Sequence, residues 1–276
     1  MTPEPVPSLR QLLAFYVDAG VDCALSDEPI DRLVAEDVVA ETPRPAPIAA
    51  PRSQSPIAPR PVLPANVPAT PEAAIVSARE AAATAPTLEA LRALMQSFDG
   101  CALRTTATQL VFADGNPQAR LMLVGEAPGR DEDIEGRPFV GRSGKLLDLM
   151  LAAIGFDRSK VYIANVIPWR PPGNRTPTPQ ETQICLPFIK RQIELVNPDV
   201  LVTLGNPSTQ ALLETREGIM RTRGRWVDYH TGTRSIRALP TLHPAYLLRQ
   251  PTYKRHAWQD LRAIVAALET TAPSVS

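Results

Sequence analysis

From residue 119 onward, short apolar runs alternate with stretches whose apolar positions recur at helical spacing. The runs in ARLMLVGEA, KVYIANVI, PDVLVTLG and RSIRALPTLHP are nearly solid, the pattern of buried strands. Between and after them, GKLLDLMLAAIG, TPQETQICLPFIKRQIELV, NPSTQALLE and YKRHAWQDLRAIVAALE carry the helical period, with Pro187 inside the second. TLEALRALMQSF, residues 87–98, predicts the helix that opens the main domain, with Thr87 and Glu89 as its N-terminal signals. Strand–helix alternation of this kind predicts an α/β fold over residues 73–270. Its centre is a mainly parallel four-stranded sheet flanked by helices on both faces.

The first 72 residues read differently. Residues 1–40 predict a short helical segment, clearest in LRQLLAFYVDAG (9–20), with a weaker second helix in DEPIDRLVAED. Residues 41–72 predict a flexible linker: ten prolines fall within 42–71, and such a stretch cannot form a packed core. Residues 271–276 predict a disordered tail. The N-terminal helix is a candidate docking element for a protein partner, and the chain otherwise reads as a monomer.

Composition narrows the classes. The formal net charge is zero, so a nucleic-acid partner requires a local basic face within a neutral total. No run of about 18–20 apolar residues predicts a membrane span. The N-terminus lacks the pattern of a signal peptide, which sets the expectation of a cytoplasmic protein. Cys23, Cys101 and Cys185 are odd in number and widely spaced, a pattern of a reducing compartment rather than a disulfide framework.

In a parallel sheet, ligands bind outside the carboxyl ends of the strands. The predicted strand exits are GEAPG, NVIPWRPPGNR, GNPS and LHPAYLLR. The first carries Glu126, in a turn fixed by Pro128 and Gly129. The second carries Asn165, whose amide both donates and accepts. The third brings Ser208 forward as a candidate DNA contact, and the fourth brings His243, followed by Pro244. Between the first and second exits lies a lone Phe139 and then GRSGK. An aromatic ring, an amide and an imidazole around one pocket suit a planar heterocycle: the ring stacks, the amide reads an edge and the imidazole stabilises charge. GRSGK, with Arg142, Ser143 and Lys145, opens a helix whose amide donors suit a phosphate, although it lacks the P-loop spacing. Each residue alone also has a structural reading: Phe139 as core, Asn165 as a turn cap, His243 as a satisfied imidazole, and the acids from Asp131 to Asp133 as a solvated loop. Their conjunction at consecutive strand exits raises the functional one.

Taken together, GEAPGRDEDIEGRPFVGRSGKLLD, NVIPWRPPGNRTP, RGRW and HPAYLLR resemble the motifs of family four uracil-DNA glycosylases. The resemblance runs from about Leu94 to Ile264. It implies a three-layer α/β fold that flips uracil out of DNA and hydrolyses its N-glycosidic bond in base-excision repair, with uracil-containing DNA as the partner. Position by position, it implies that Phe139 stacks on uracil, Asn165 reads its N3–O4 edge, and His243 bonds its O2. Glu126 falls near the catalytic water, and Glu132 and Asn174 close to the site. Ala127 stands in the uracil pocket, where family one enzymes carry a water-binding aspartate. Leu247, Leu248 and Arg249 match the loop that enters the minor groove.

The family holds a four-iron iron–sulfur cluster on four cysteines. Here Cys101 and Cys185 match two of those positions, while Phe98 and Trp169 occupy the others. Neither Phe nor Trp is a ligand. The expectation is therefore a lost cluster, no cofactor and no metal, with two rings refilling the space. Two alternatives to uracil excision stay open: a non-catalytic DNA-binding module, and a glycosylase for another deaminated base such as hypoxanthine.

Overall fold

The computed structural model describes residues 70–270. The helices expected at 9–20 and 27–37, the linker up to residue 69 and the tail 271–276 lie outside the described residues.

The first described helix, α1 (Pro71–Thr84), was not among the expected elements. Thr70 caps it, its Oγ1 accepting from Ala73 N at 3.3 Å, and Pro71 occupies the first turn, where its missing N–H costs nothing. Ala74, Ala78 and Ala82 form its buried stripe. The linker expected through residue 72 therefore overlaps a capped helix, and the helix at 87–98 is not the first of the packed body. Alanine contrasts too little with its neighbours for hydropathy to mark this face. Next come α2 (Leu88–Ser97), capped by Thr87, and the one-turn α3 (Leu103–Thr106).

The remaining elements follow in the order β1 (Asp114–Gly115), β2 (Leu121–Gly125), α4 (Arg130–Glu135), α5 (Arg142–Ala152), β3 (Val161–Asn165), α6 (Pro179–Val196), β4 (Val200–Leu204), α7 (Asn206–Leu213), α8 (Ile219–Thr222), β5 (Val227–His230), β6 (Ser235–Thr241), α9 (Pro244–Arg249) and α10 (Lys254–Thr270). The sheet has six strands in the order β1-β3-β2-β4-β6-β5. Its four inner strands are parallel and correspond to the four expected ones. β1 and β5 add antiparallel edges, which corrects the strand count from four to six. They escape pattern reading because β1 has two residues and β5 buries only Tyr229.

Along β2 the side chains alternate between two cores. Met122 and Val124 pack with α1, α2 and α6; Leu121 and Leu123 pack with α5 and α10. The result is three layers, with apolar surface on both faces of the sheet. β2 lies between β3 and β4, so the chain leaves β2 toward one side and later returns on the other. That reversal opens a crevice at the carboxyl ends of the inner strands.

Candidate active site

The crevice holds a cavity of about 400 Å³ lined by Glu126, Ala127, Phe139, Asn165, Asn174 and His243, among others. Asn165 is the last residue of β3 and pairs across with Gly125, the last residue of β2. A Cβ on Gly125 would stand 2.5 Å from Asn165 Oδ1 and 2.7 Å from Phe139 Cζ. Only glycine there lets the amide and the ring share the pocket floor. Asn165 is 4% exposed.

Phe139 is held in an uncommon way. Its backbone is left-handed, with φ of 55°, in a residue other than glycine. Its carbonyl lies over Gly144 of α5, where any Cβ would overlap it. Arg158 donates to the carbonyls of Pro138 and Phe139 while pairing with Asp114 at 2.6 Å and Asp148 at 2.8 Å. One guanidinium thus ties β1 and α5 to the loop that presents the ring. The Phe139 ring, 4% exposed, faces His243 with centroids 5.4 Å apart and planes 31° apart.

His243 caps α9. Its Nδ1 accepts from Ala245 N at 3.1 Å. A neutral imidazole with Nδ1 as acceptor carries its proton on Nε2, which makes Nε2–H the donor available to a ligand. Burial, and then the Arg249 charge, push its pKa down to about 4, so the ring stays neutral at physiological pH. Glu126 is shifted the opposite way: burial alone raises its pKa.

Several candidate residues stand elsewhere than expected. Glu132 lines the cavity, but its carboxylate accepts from Gly129 N, Val140 N and Gly141 N at 3.1, 3.0 and 2.9 Å. Its position is that of a clamp between the GEAPG turn and the start of α5, with its acceptors already engaged. Asn174 also has a left-handed backbone, and its Oδ1 accepts from Arg170 Nε at 2.7 Å, leaving the amide donors toward the cavity it lines. Ser208 does not reach a DNA surface. It is buried, and its hydroxyl donates back to the carbonyls of Leu204 and Gly205. Leu247 is 1% exposed and belongs to the core, whereas Leu248 is 38% exposed. Of the two leucines only Leu248 is placed as a wedge, because successive residues of α9 point to different faces.

Arg142, Ser143 and Lys145 lie in the first turns of α5, beyond the Gly141 cap. Arg130, Arg142, Ser143, Leu248 and Arg249 line a second hollow, about 430 Å³, beside the first. Asp131 and Glu132 line it too, so three arginines share the hollow with two carboxylates. Pattern reading missed Arg158 and also Arg175, which lines the cavity while paired with Glu181 at 2.6 Å. The capping box Thr178–Glu181 was a readable signal for that corner.

The four cluster positions form a different structure. Phe98 and Trp169 are buried, Trp169 at 2%, in one core with Cys101, Cys185 and Phe188. The Phe98 ring meets Phe188 edge-on at 5.0 Å and 73°. Cys101 Sγ and Cys185 Sγ are 3.9 Å apart, in direct contact. That contact, with burial, pushes the Cys185 thiol well up, and the same contact lowers Cys101. Two touching thiols and two rings do not fit a four-thiolate cluster. No group of three or more His, Cys, Asp or Glu among the described residues could hold a metal ion.

Comparison with known proteins agrees with this crevice. Residues 112–262 match the family model of the uracil DNA glycosylase superfamily. The chain is 42% identical over 179 residues to the Type-4 uracil-DNA glycosylase of Thermotoga maritima, covering 64% of this chain and 88% of that protein. It is 40% identical over 168 residues to the Type-4 uracil-DNA glycosylase of Archaeoglobus fulgidus, covering 59% and 84%. It is 39% identical over 182 residues to that of Sulfurisphaera tokodaii, covering 64% and 83%. With its six-stranded sheet and its ring, amide and imidazole gathered at the strand ends, this chain belongs to the uracil DNA glycosylase superfamily.

Proposed function

We propose that this protein is a uracil-DNA glycosylase that takes a flipped uracil into the cavity and hydrolyses its N-glycosidic bond. The observation that carries the reading is the pocket built from Phe139, Asn165 and a neutral His243 with Nε2–H as its free donor. Phe139 offers a face for stacking, and Asn165 offers both a donor and an acceptor to the N3–O4 edge of the base.

As the N1–C1′ bond breaks, its electron pair leaves with the base and charge develops on uracil O2. The Nε2–H of His243 stabilises that charge; a preorganised donor of this kind contributes about 3–4 kcal/mol to the transition state. A water then adds to C1′, and Glu126, near the pocket, is the candidate to take its proton. Glu132 and Asn174 shape the pocket rather than react. Arg142, Ser143, Lys145 and Arg249 contact the phosphates, and Leu248 fills the gap left in the duplex. No iron–sulfur cluster takes part. The protein acts as a cytoplasmic monomer, with the residues before the Thr70 cap dispensable for chemistry and available to a protein partner. No helix of the described residues is long and apolar enough to cross a membrane.

The test is a single-turnover assay on oligonucleotides carrying uracil, hypoxanthine or cytosine. Uracil is released fastest by the unsubstituted protein. DNA binding without release of any base would make it a binding module, and faster release of hypoxanthine would reassign the substrate. Asn165→Asp turns the amide donor into an acceptor, which suits the cytosine amino group, so the uracil-to-cytosine rate ratio falls. An unchanged ratio removes Asn165 from base recognition.

A further inference from the structure

The loop from β3 to α6 brings Asn174 to the mouth of the crevice. There it lines both the base pocket and the hollow that holds Arg142, Ser143 and Arg249. Little backbone structure fixes the tip of this loop. Gly173 and Asn174 are both left-handed, with φ of 63° and 55°. The backbone bonds at the tip are single-turn ones, from Asn174 N to Pro171 O at 3.1 Å and from Arg175 N to Pro172 O at 3.3 Å. A side chain adds the tie that sets the amide. Arg170 Nε donates to Asn174 Oδ1 at 2.7 Å. Behind it, Arg170 Nη1 faces the Asp133 carboxylate of α4 at 3.9 Å. Asp133 is 3% exposed and is itself fixed, accepting from Thr108 N and Thr108 Oγ1, both at 2.8 Å.

Arginine carries donors and no acceptor, so the amide oxygen must face it and the two Nδ2–H donors must turn away. Half a turn of the amide would set its NH2 group against a cation. Arg170 lines neither the base pocket nor the arginine hollow, so its reach into the crevice is through Asn174. The backbone of a nucleotide turned into the pocket crosses this mouth, and its phosphate oxygens are acceptors. Resting on the glycosylase reading, we propose that Arg170 is a positioning residue for the reaction. Anchored on Asp133, it holds the Asn174 amide with its donors toward the phosphate of the turned nucleotide. An uncharged donor fixed in this way keeps the sugar in register with the pocket, and register is worth rate.

Uracil release by the unsubstituted protein is measured first, since its absence sinks the glycosylase reading and this proposal with it. Arg170→Met is expected to lower kcat/KM for uracil release roughly tenfold, the worth of one hydrogen bond. In an Asn174→Ala background the same substitution is expected to cost less than about twofold, because the group it positions is already gone. The salt dependence of binding to an oligonucleotide carrying uncleavable 2′-fluoro-deoxyuridine stays unchanged in Arg170→Met, since Arg170 neutralises no phosphate itself. Asn174→Asp keeps the bond to Arg170 and strengthens it by charge, so the loop stays held, yet it offers no donor. It is expected to lose about tenfold or more in kcat/KM with no fall in Tm. Equal losses from Arg170→Met in both backgrounds would make Arg170 a support of the fold alone. A salt slope reduced by about one would make it a direct phosphate contact. Either result, or full activity in Asn174→Asp, overturns the proposal.

Discussion

The base pocket and the aromatic plug sit at opposite ends of one segment, from Asn165 to Trp169, and they are built on opposite principles. In the pocket, buried or half-buried polar groups keep atoms available: the His243 Nε2–H, the Asn165 amide and the Glu126 carboxyl, whose partial burial raises its pKa. In the plug, Phe98, Trp169, Phe188, Cys101 and Cys185 fill space with nothing left over to bind a ligand. The pocket holds its groups by backbone devices and a guanidinium clamp. The plug holds its segments mainly by packing. The difference teaches that apolar rings and small thiols can join segments where the task is only structural. A pocket that must bind changing charge has no such substitute.

Breaking the plug should cost stability and spare the chemistry. Trp169→Ala is expected to lower stability by about 3–5 kcal/mol, read as a fall in Tm, while the folded fraction still cleaves uracil near the unsubstituted rate. Iron and sulfide analysis of anaerobically purified protein is expected to find neither; about four irons per chain would show that the plug is not the resting structure.

Breaking the pocket should do the reverse. His243→Ala is expected to slow cleavage about 100- to 1000-fold with little change in DNA affinity, because its bond strengthens as charge develops, and to lower Tm modestly through loss of the α9 cap. Equal losses of rate and affinity would make it a binding group. The pH dependence adds a second reading. His243 is neutral in the folded state down to about pH 4, whereas an unfolded histidine titrates near 6.5. The unfolded chain therefore takes up a proton first, and this contribution to stability is present above about pH 6.5 and fades toward pH 4. His243→Ala should lose that part of the acid sensitivity, and no inflection of the cleavage rate between pH 6 and 7 should belong to His243.

A smaller effect tests how the pocket is held. Arg158→Ala removes the clamp on the Phe139 carbonyl, and misplacement of the ring is expected to slow cleavage by up to about 100-fold. Arg158→Lys recovers only part of the rate, since an ammonium lacks the planar fork that reaches two carbonyls and two carboxylates. Full activity in Arg158→Ala would mean that Gly144 and the left-handed Phe139 backbone hold the ring unaided. The smallest effect separates two neighbours on α9. Leu248→Ala is expected to slow cleavage in duplex DNA by roughly fivefold to tenfold and in single strands less. Leu247→Ala, a core deletion, should lower Tm instead.

Most of the frame was legible along the chain. The four inner strands are solid apolar runs, and their helices carry the right period, so the parallel sheet and the line of its exits follow from local pattern. Phe139, Asn165 and His243 were legible because each sits in or beside a strand exit, where Gly125, Pro128 and Pro244 mark sharp changes of direction. Edge strand β1 and helix α1 were not, since a two-residue strand and an alanine face leave almost no hydropathy signal. Leu247 and Leu248 are adjacent and chemically identical, and Ser208 reads like any polar residue at a strand exit. In each case the face on which a side chain emerges decides its role, and that face depends on what packs against the helix.

The sequence by itself determined the order of elements, the parallel core and the three side chains, Phe139, Asn165 and His243, that line the pocket, because these depend on backbone geometry over a few neighbouring residues. Only the tertiary structure decided that Glu132 is a clamp, that Arg158 carries the aromatic platform, that His243 presents Nε2–H, and that Cys101 touches Cys185. Arg158 and the two cysteines join residues far apart in the chain, while Glu132 and His243 bond near neighbours through backbone groups whose direction the fold sets. Hydrogen-bond direction, burial and the pKa shifts that follow exist only once such residues share one low-dielectric interior.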